Sequence, residues 1–233
     1  MTDTAPPAAG SERMALLIYP GFTALDLFGP HHMLAGVRPA RLDLVAKTRA
    51  PVVSDTGVTI TPGAGFADIE PGLDVLLVPG GTEGTLAAMQ DAETRAFLAA
   101  QGARARYVTS VCTGSLILGA AGLLQGRRAT SHWLTLNVLS AFGAVPVAGR
   151  VVEDGNVITG AGVSAGLDLG LTLVNRLRDR AYAERVQLVA EYDPRPPLAA
   201  GNPELAPADV TASARAAFAP FLARVEASAR ALG

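Results

Sequence analysis

Tyr107-Val108-Thr109-Ser110-Val111-Cys112-Thr113-Gly114-Ser115 reads as a β-strand that ends on a thiol and turns at once into a helix. The five residues before the cysteine are mostly apolar or β-branched, which suits a strand buried on both faces of a parallel sheet. After the small residues Thr113, Gly114 and Ser115 comes a run of helix formers, 116–124. The small residues let the chain turn sharply, as the glycines of the G-x-S-x-G elbow do in hydrolases. Cys112 is the only cysteine in 233 residues. A thiol held at a helix N-terminus feels the positive end of the helix dipole, which favours its thiolate, so the position predicts a nucleophile. The plainer reading, a small apolar core residue, stays open on local sequence alone.

Working outward from this corner, 14–19 and 74–78 are continuous apolar runs that predict two more buried strands. The first ends at Pro20-Gly21 and leads into a predicted helix over 25–37; the second ends at Pro79-Gly80-Gly81. Segment 41–46 predicts a further strand, and Asp55-Thr56-Gly57 predicts the turn of a small hairpin between Val52-Val53 and 58–60. One or two helices are expected over 86–101. Downstream, Ser131 is expected to cap a helix starting near His132. Asp154-Gly155-Asn156 predicts a second hairpin, between 151–153 and 157–159, and helices are expected over 163–177 and 182–190. Buried strands alternating with helices predict an α/β fold with a largely parallel sheet covered on both sides.

At Asp193-Pro194-Arg195-Pro196-Pro197 the prolines end regular structure. The expected organisation is a loose leader over 1–12, an α/β body over 13–192, and a Pro-rich arm with an Ala-rich helix over 193–233. That appendage is expected to pack on the body or on a second copy of the chain.

Apolar residues make up 49% and charged residues 17%, enough to build a core and too few charges for wholesale disorder. With a net charge of −2 and no basic cluster, nucleic acid is not an expected partner. No apolar run approaches the roughly 20 residues of a membrane helix, so no membrane partner is expected either. A single cysteine excludes an internal disulfide framework and suits a reducing compartment, so a cytoplasmic location is expected.

Ligands of parallel sheets sit at the carboxyl ends of the strands. Three loops meet there: 20–26, 79–82 and the Cys112 corner. Gly80-Gly81 is either an ordinary strand exit or a place where backbone N–H groups approach a ligand unhindered by a Cβ. In the second case the amides of Gly81 and Thr113 form an oxyanion-type pair beside the sulfur. Asp26, flanked by apolar residues, is either a first-turn acid or a proton carrier facing the thiol, kept neutral by burial. His31 and His32 are adjacent on a helix and cannot face the same way. His132, beside Trp133, is a pocket wall or a base. No H-x-x-x-H or C-x-x-C spacing is present, so no metal site is expected.

Taken together, several stretches resemble the ThiJ/PfpI superfamily (glutamine-amidotransferase-like). They are Leu25-Asp26-Leu27-Phe28-Gly29-Pro30, Pro79-Gly80-Gly81-Thr82, the strand and corner from Ala105 through Ser115, Arg127-Arg128-Ala129-Thr130-Ser131-His132-Trp133, and Gln187-Leu188-Val189-Ala190-Glu191-Tyr192. The resemblance implies a flavodoxin-like fold with a nucleophile elbow. Most members carry Glu where this chain has Asp26; the isocyanide-hydrating branch carries Asp there and Thr after the Cys, as here. By resemblance, then, the chain is a cofactor-independent hydro-lyase that turns a small isocyanide and water into an N-substituted formamide through a Cys112 thioimidate. Asp26 carries the proton, and Thr113 positions the water or holds Asp26.

Gly80, His132, Trp133, Ala161 and Val163 would line or support the pocket, no cofactor or metal is needed, and a homodimer is expected. Ala161-Gly162-Val163 departs from the branch, which has an all-Gly run followed by Ile, and so bears on substrate fit and on the mobility of the helix that follows. Two rival readings are carried forward: a glyoxalase- or deglycase-like enzyme, and a non-enzymatic redox or ligand sensor in which Cys112 reports. Related sensor domains occur in AraC-type regulators, but the DNA-binding helix-turn-helix of that form is not expected here.

Overall fold

Residues 12–232 are described by the structure, a computed structural model. The apolar runs form β1 (Glu12–Leu17), β2 (Ala40–Ala46), the short pair β3 (Val52–Val53) and β4 (Thr59–Ile60), and β5 (Ala64–Gly65). They continue as β6 (Val75–Val78), β7 (Tyr107–Val111), β8 (Arg128–Ala129), β9 (Val145–Pro146), β10 (Val151–Asp154) and β11 (Val157–Gly160). Seven of them make one sheet in the order β10-β11-β7-β6-β1-β2-β5. Every pairing in it is parallel except the β10–β11 hairpin. β6 is buried along its whole length, as expected of a strand covered on both faces.

The helices are α1 (Ala24–Leu34), α2 (Glu83–Gln90), α3 (Ala92–Gly102), α4 (Gly114–Ala120), α5 (Ala165–Leu177), α6 (Arg180–Val189) and α7 (Ala208–Leu232). α1 packs with α5 and α6 in one group, and α2, α3 and α4 pack with α7 in the other, flanking the sheet. Asp91 divides the helical stretch after β6, because its carboxylate accepts the Thr94 N–H and caps α3. No helix among the described residues is long and apolar enough to cross a membrane.

Three sequence expectations differ from the structure. The expected leader, 1–12, overlaps the body: residues 1–11 lie outside the described residues, but Glu12 opens β1, is buried, and pairs with Arg178. No helix begins at His132. A turn closed by Thr135 N–H on the His132 carbonyl leads instead to a 3-10 segment, Leu136–Phe142. Ser131 is not its cap, because its hydroxyl donates to the Cys112 carbonyl at 3.2 Å and pairs with Thr135 Oγ1 at 2.9 Å. The C-terminal helix lies against α2 and the 3-10 segment of the same chain, where Arg224 holds Glu83 and Val225 and Ala229 are buried.

Candidate active site

The sheet turns from β2 back across β1 to β6, so the carboxyl ends of β1, β6 and β7 converge at the reversal of strand order. Parallel α/β sheets bind ligands at such a crevice. Cys112 sits there as a single residue between β7 and the turn into α4, with φ of +58°. A non-glycine residue in the left-handed region is strained by about 1–2 kcal/mol. Around it the corner is braced on every side. The Cys112 N–H donates to the carbonyls of Ala161 (2.9 Å) and Gly160 (3.1 Å). Its carbonyl accepts from the hydroxyls of Ser115 and Ser131. α4 can start directly behind because residue 114 is glycine: a Cβ there would lie 2.2 Å from the Val78 carbonyl oxygen.

Asp26, in the first turn of α1, is fully buried and close enough to the thiol for each to shift the other's acidity. Its Oδ2 accepts the Gly80 N–H at 2.9 Å, and its Oδ1 is buried without a partner of ordinary geometry. Burial pushes the Asp26 carboxyl up from the ordinary 3.8 to about 7, against the opposing pull of the Gly80 N–H and the Cys112 thiol; Asp55 adds a smaller upward push. Gly80 is the residue that makes this contact possible. A Cβ there would lie 2.6 Å from both Thr113 N and Oγ1, and 2.8 Å from Asp26 Oδ2.

Burial also pushes the Cys112 thiol up, and the neighbouring carboxyl pushes the same way. This opposes the expected stabilisation of a thiolate by the helix. α4 has only seven residues, and desolvation outweighs what it supplies. Two backbone N–H groups, those of Val163 and Thr113, do hydrogen-bond the sulfur and pull the other way. Burial thus pushes both groups of the pair toward their neutral forms.

The expected oxyanion pair also needs correction. The Gly81 N–H is occupied, donating to Thr113 Oγ1 at 3.0 Å. The amides that meet at the sulfur are those of Thr113 and Val163, and Val163 was expected only as a pocket residue. Nor does the Thr113 hydroxyl hold Asp26: it donates to the Gly81 carbonyl at 2.8 Å and lies 2.8 Å from Thr85 Oγ1.

His132 is half-buried, and burial lowers its pKa. Its Nδ1 accepts the Leu134 N–H, its ring lies against Gly162, and it is not a partner of either the thiol or Asp26. With Trp133, Ala161 and Val163 it lines a cleft of about 690 Å³, completed by 201–204 and by Arg215, which stacks over Trp133 at 4.8 Å. Neither Cys112, 6% exposed, nor Asp26 lines this cleft; the corner joins its wall through the Cys112 N–H bond to the Ala161 carbonyl. A separate, mostly apolar cavity of about 510 Å³ lies between Tyr19, Pro51 and Phe66 and includes neither reactive residue. His132→Asn is expected to change kcat/KM by less than about tenfold in steady-state assays, since a wall residue affects fit more than bond making. A loss as deep as that of the thiol would make His132 the proton carrier.

Among the described residues, no group of three His, Cys, Asp or Glu side chains is placed to hold a metal ion. Sequence reasoning missed Tyr19 and Thr85. Both are buried and hydrogen-bonded into the 79–81 segment, and only the pairing of β1 with β6 brings Tyr19 there.

Known proteins are similar to this chain in sequence and fold. The family model described as DJ-1/PfpI matches residues 12–176. An isonitrile hydratase of Pseudomonas putida is 48% identical over 90% of this chain and 91% of its own. The solved structure of a ThiJ/PfpI family protein from Pseudomonas syringae superposes with a TM-score of 0.94 at 52% identity, covering 98% of this chain and 97% of the other. An HTH-type transcriptional regulator of Pseudomonas aeruginosa is 31% identical over 74% of this chain, which spans half of the regulator's length.

Proposed function

The chain belongs to the DJ-1/PfpI family, and from that premise we propose that it hydrates isocyanides to N-substituted formamides. One observation carries this reading: a buried carboxyl with a pKa near 7 faces the only cysteine, at the carboxyl edge of a parallel sheet. The isocyanide carbon is compact and electron-rich, and it accepts a soft nucleophile once it is protonated. A nucleophile and an acid that share one proton fit that demand.

In the proposed sequence the Cys112 proton passes to the Asp26 carboxylate as the sulfur approaches the terminal carbon. The C–S bond forms while Asp26 delivers the proton to that same carbon, giving the thioimidate R–N=CH–S. Asp26, again a carboxylate, takes a proton from water as the water oxygen adds to the carbon, and passes it to nitrogen. The tetrahedral R–NH–CH(OH)–S species collapses by breaking C–S, its hydroxyl proton returns to sulfur, and R–NH–CHO leaves. The N–H groups of Thr113 and Val163 stabilise negative charge on sulfur as it departs. Within this proposal the cleft beside Val163 receives the R group, and the chain acts as a homodimer in the cytoplasm without a cofactor.

The test is infrared detection of isocyanide loss and formamide gain over a small panel of alkyl and aryl isocyanides, with methylglyoxal in parallel. Formamide formation at catalytic amounts of protein is expected. Turnover of methylglyoxal alone would favour the deglycase-like reading. Oxidation of Cys112 with no turnover of either would favour a sensor.

A further inference from the structure

Three buried hydroxyls converge on the exit from β6. Tyr19 O–H donates to the Pro79 carbonyl at 2.7 Å and lies 3.4 Å from Thr85 Oγ1. Thr85, in the first turn of α2, reaches back to the Gly81 carbonyl at 3.0 Å and to Thr113 Oγ1 at 2.8 Å. Thr113 Oγ1 accepts the Gly81 N–H, so both ends of the Gly81 residue are held. Each threonine has one proton to donate. With the Tyr19 proton on Pro79, the Thr85 proton is free to go to Gly81 or Thr113, and either choice leaves the segment anchored from α2.

Between these anchors lies Gly80, whose N–H meets Asp26 and whose carbonyl accepts the Thr23 N–H at 2.8 Å, at the start of the helix that carries Asp26. We propose that Thr85 and Tyr19 are positioning residues that fix segment 79–81 and, through the Gly80 N–H, hold the Asp26 carboxyl in its working orientation. Neither residue touches the reacting atoms in this scheme. The proposal rests on the reading of Cys112 and Asp26 as the reacting pair.

Its consequence is a shift in pH dependence. The ionisable groups that face Asp26 are Cys112 on the corner, Tyr19 at the end of β1 and Asp55 in the hairpin. Asp55 and Tyr19 disfavour a second negative charge beside them, whereas the Cys112 thiol and the Gly80 N–H favour the Asp26 carboxylate, Gly80 being its backbone donor. Loosening segment 79–81 weakens that donor, so the first ionisation of the Cys112–Asp26 pair must move to higher pH.

The experiment compares full-length wild type, Thr85→Val, Thr85→Ser and Tyr19→Phe by the pH dependence of Cys112 alkylation with iodoacetamide, a readout that needs no substrate. The midpoint of the first rise in alkylation rate is expected to move up by about one pH unit in Thr85→Val. A smaller shift in the same direction is expected in Tyr19→Phe, and Thr85→Ser should restore the wild-type midpoint. An unshifted Thr85→Val, or a Thr85→Ser that shifts equally, overturns the proposal. If Thr85→Val does not fold, an unshifted Tyr19→Phe overturns it instead. A shifted midpoint in a protein that turns over no isocyanide supports the positioning network and removes the hydratase reading, which keeps the two failures distinct.

Discussion

Cys112→Ala is expected to abolish formamide formation, with a loss of at least about four orders of magnitude in kcat/KM, since among the described residues no other thiol or comparably soft nucleophile faces Asp26. The loss should not come from misfolding. Alanine removes only the sulfur atom from a site already enclosed by α4, Gly160 and Ala161. What alanine does not remove is the backbone strain, because position 112 must keep its φ of +58° to turn β7 into α4. Cys112→Gly relieves it. That protein should be equally inactive but more stable than Cys112→Ala by about 1 kcal/mol, the net of relieved strain and added unfolded-state entropy. Isocyanide turnover and urea unfolding of the two variants check both halves. Retained turnover in Cys112→Ala would end the covalent scheme. Equal stability of the two would mean that the corner is not strained.

The parts of this fold that were legible in the sequence are those whose signals are local. β6 and β7 are short apolar runs ended by proline, glycine or the thiol, and the order of strand and helix around them leaves little choice but a parallel sheet. Asp154-Gly155-Asn156 announces its hairpin because Gly155 takes the positive φ that the turn needs. The two-residue strands β5, β8 and β9 have no pattern of their own and exist through pairing with partners elsewhere. Ser131 looks like a helix cap on local grounds, yet its hydroxyl is claimed by the carbonyl of Cys112, 19 residues away in sequence.

The candidate site divides the same way. Cys112 and Asp26 could be picked out as residue types in telling settings, but their acidities could not, because desolvation depends on everything packed around them. Helix-end reasoning favours a thiolate, and burial opposes it. The Gly81 amide looked free for a ligand until Thr113 was seen to occupy it. Thr85 and Tyr19 carry no sequence signal at all, since a buried hydroxyl announces itself only through its partners.

Asp26→Asn is expected to abolish turnover and also to stabilise the protein above neutral pH. The activity loss follows from chemistry: an amide neither takes the thiol proton nor delivers one to the isocyanide carbon, so a loss of about three orders of magnitude or more is expected. The stability gain follows from linkage. The folded-state pKa of about 7 lies above the ordinary 3.8. Below pH 3.8 the carboxyl is protonated in both the folded and unfolded chains, and nothing distinguishes them. As pH rises from there toward 7, the unfolded chain gains the free energy of ionising while the folded chain holds its proton, so the native state loses stability. Above 7 the difference is constant, and roughly three pH units correspond to about 4 kcal/mol. Asparagine does not titrate, and its carbonyl oxygen can still accept the Gly80 N–H. The gap between variant and wild type should therefore be small at pH 4, widen through pH 6, and level off by pH 8, as read from urea unfolding midpoints. A gap that is the same at pH 4 and pH 8 would show that Asp26 is not held in its neutral form by the fold. Catalysis by a buried carboxyl that gives and takes a proton near neutrality requires this destabilisation; a variant that gained the stability and kept the activity would contradict the proposed role of Asp26.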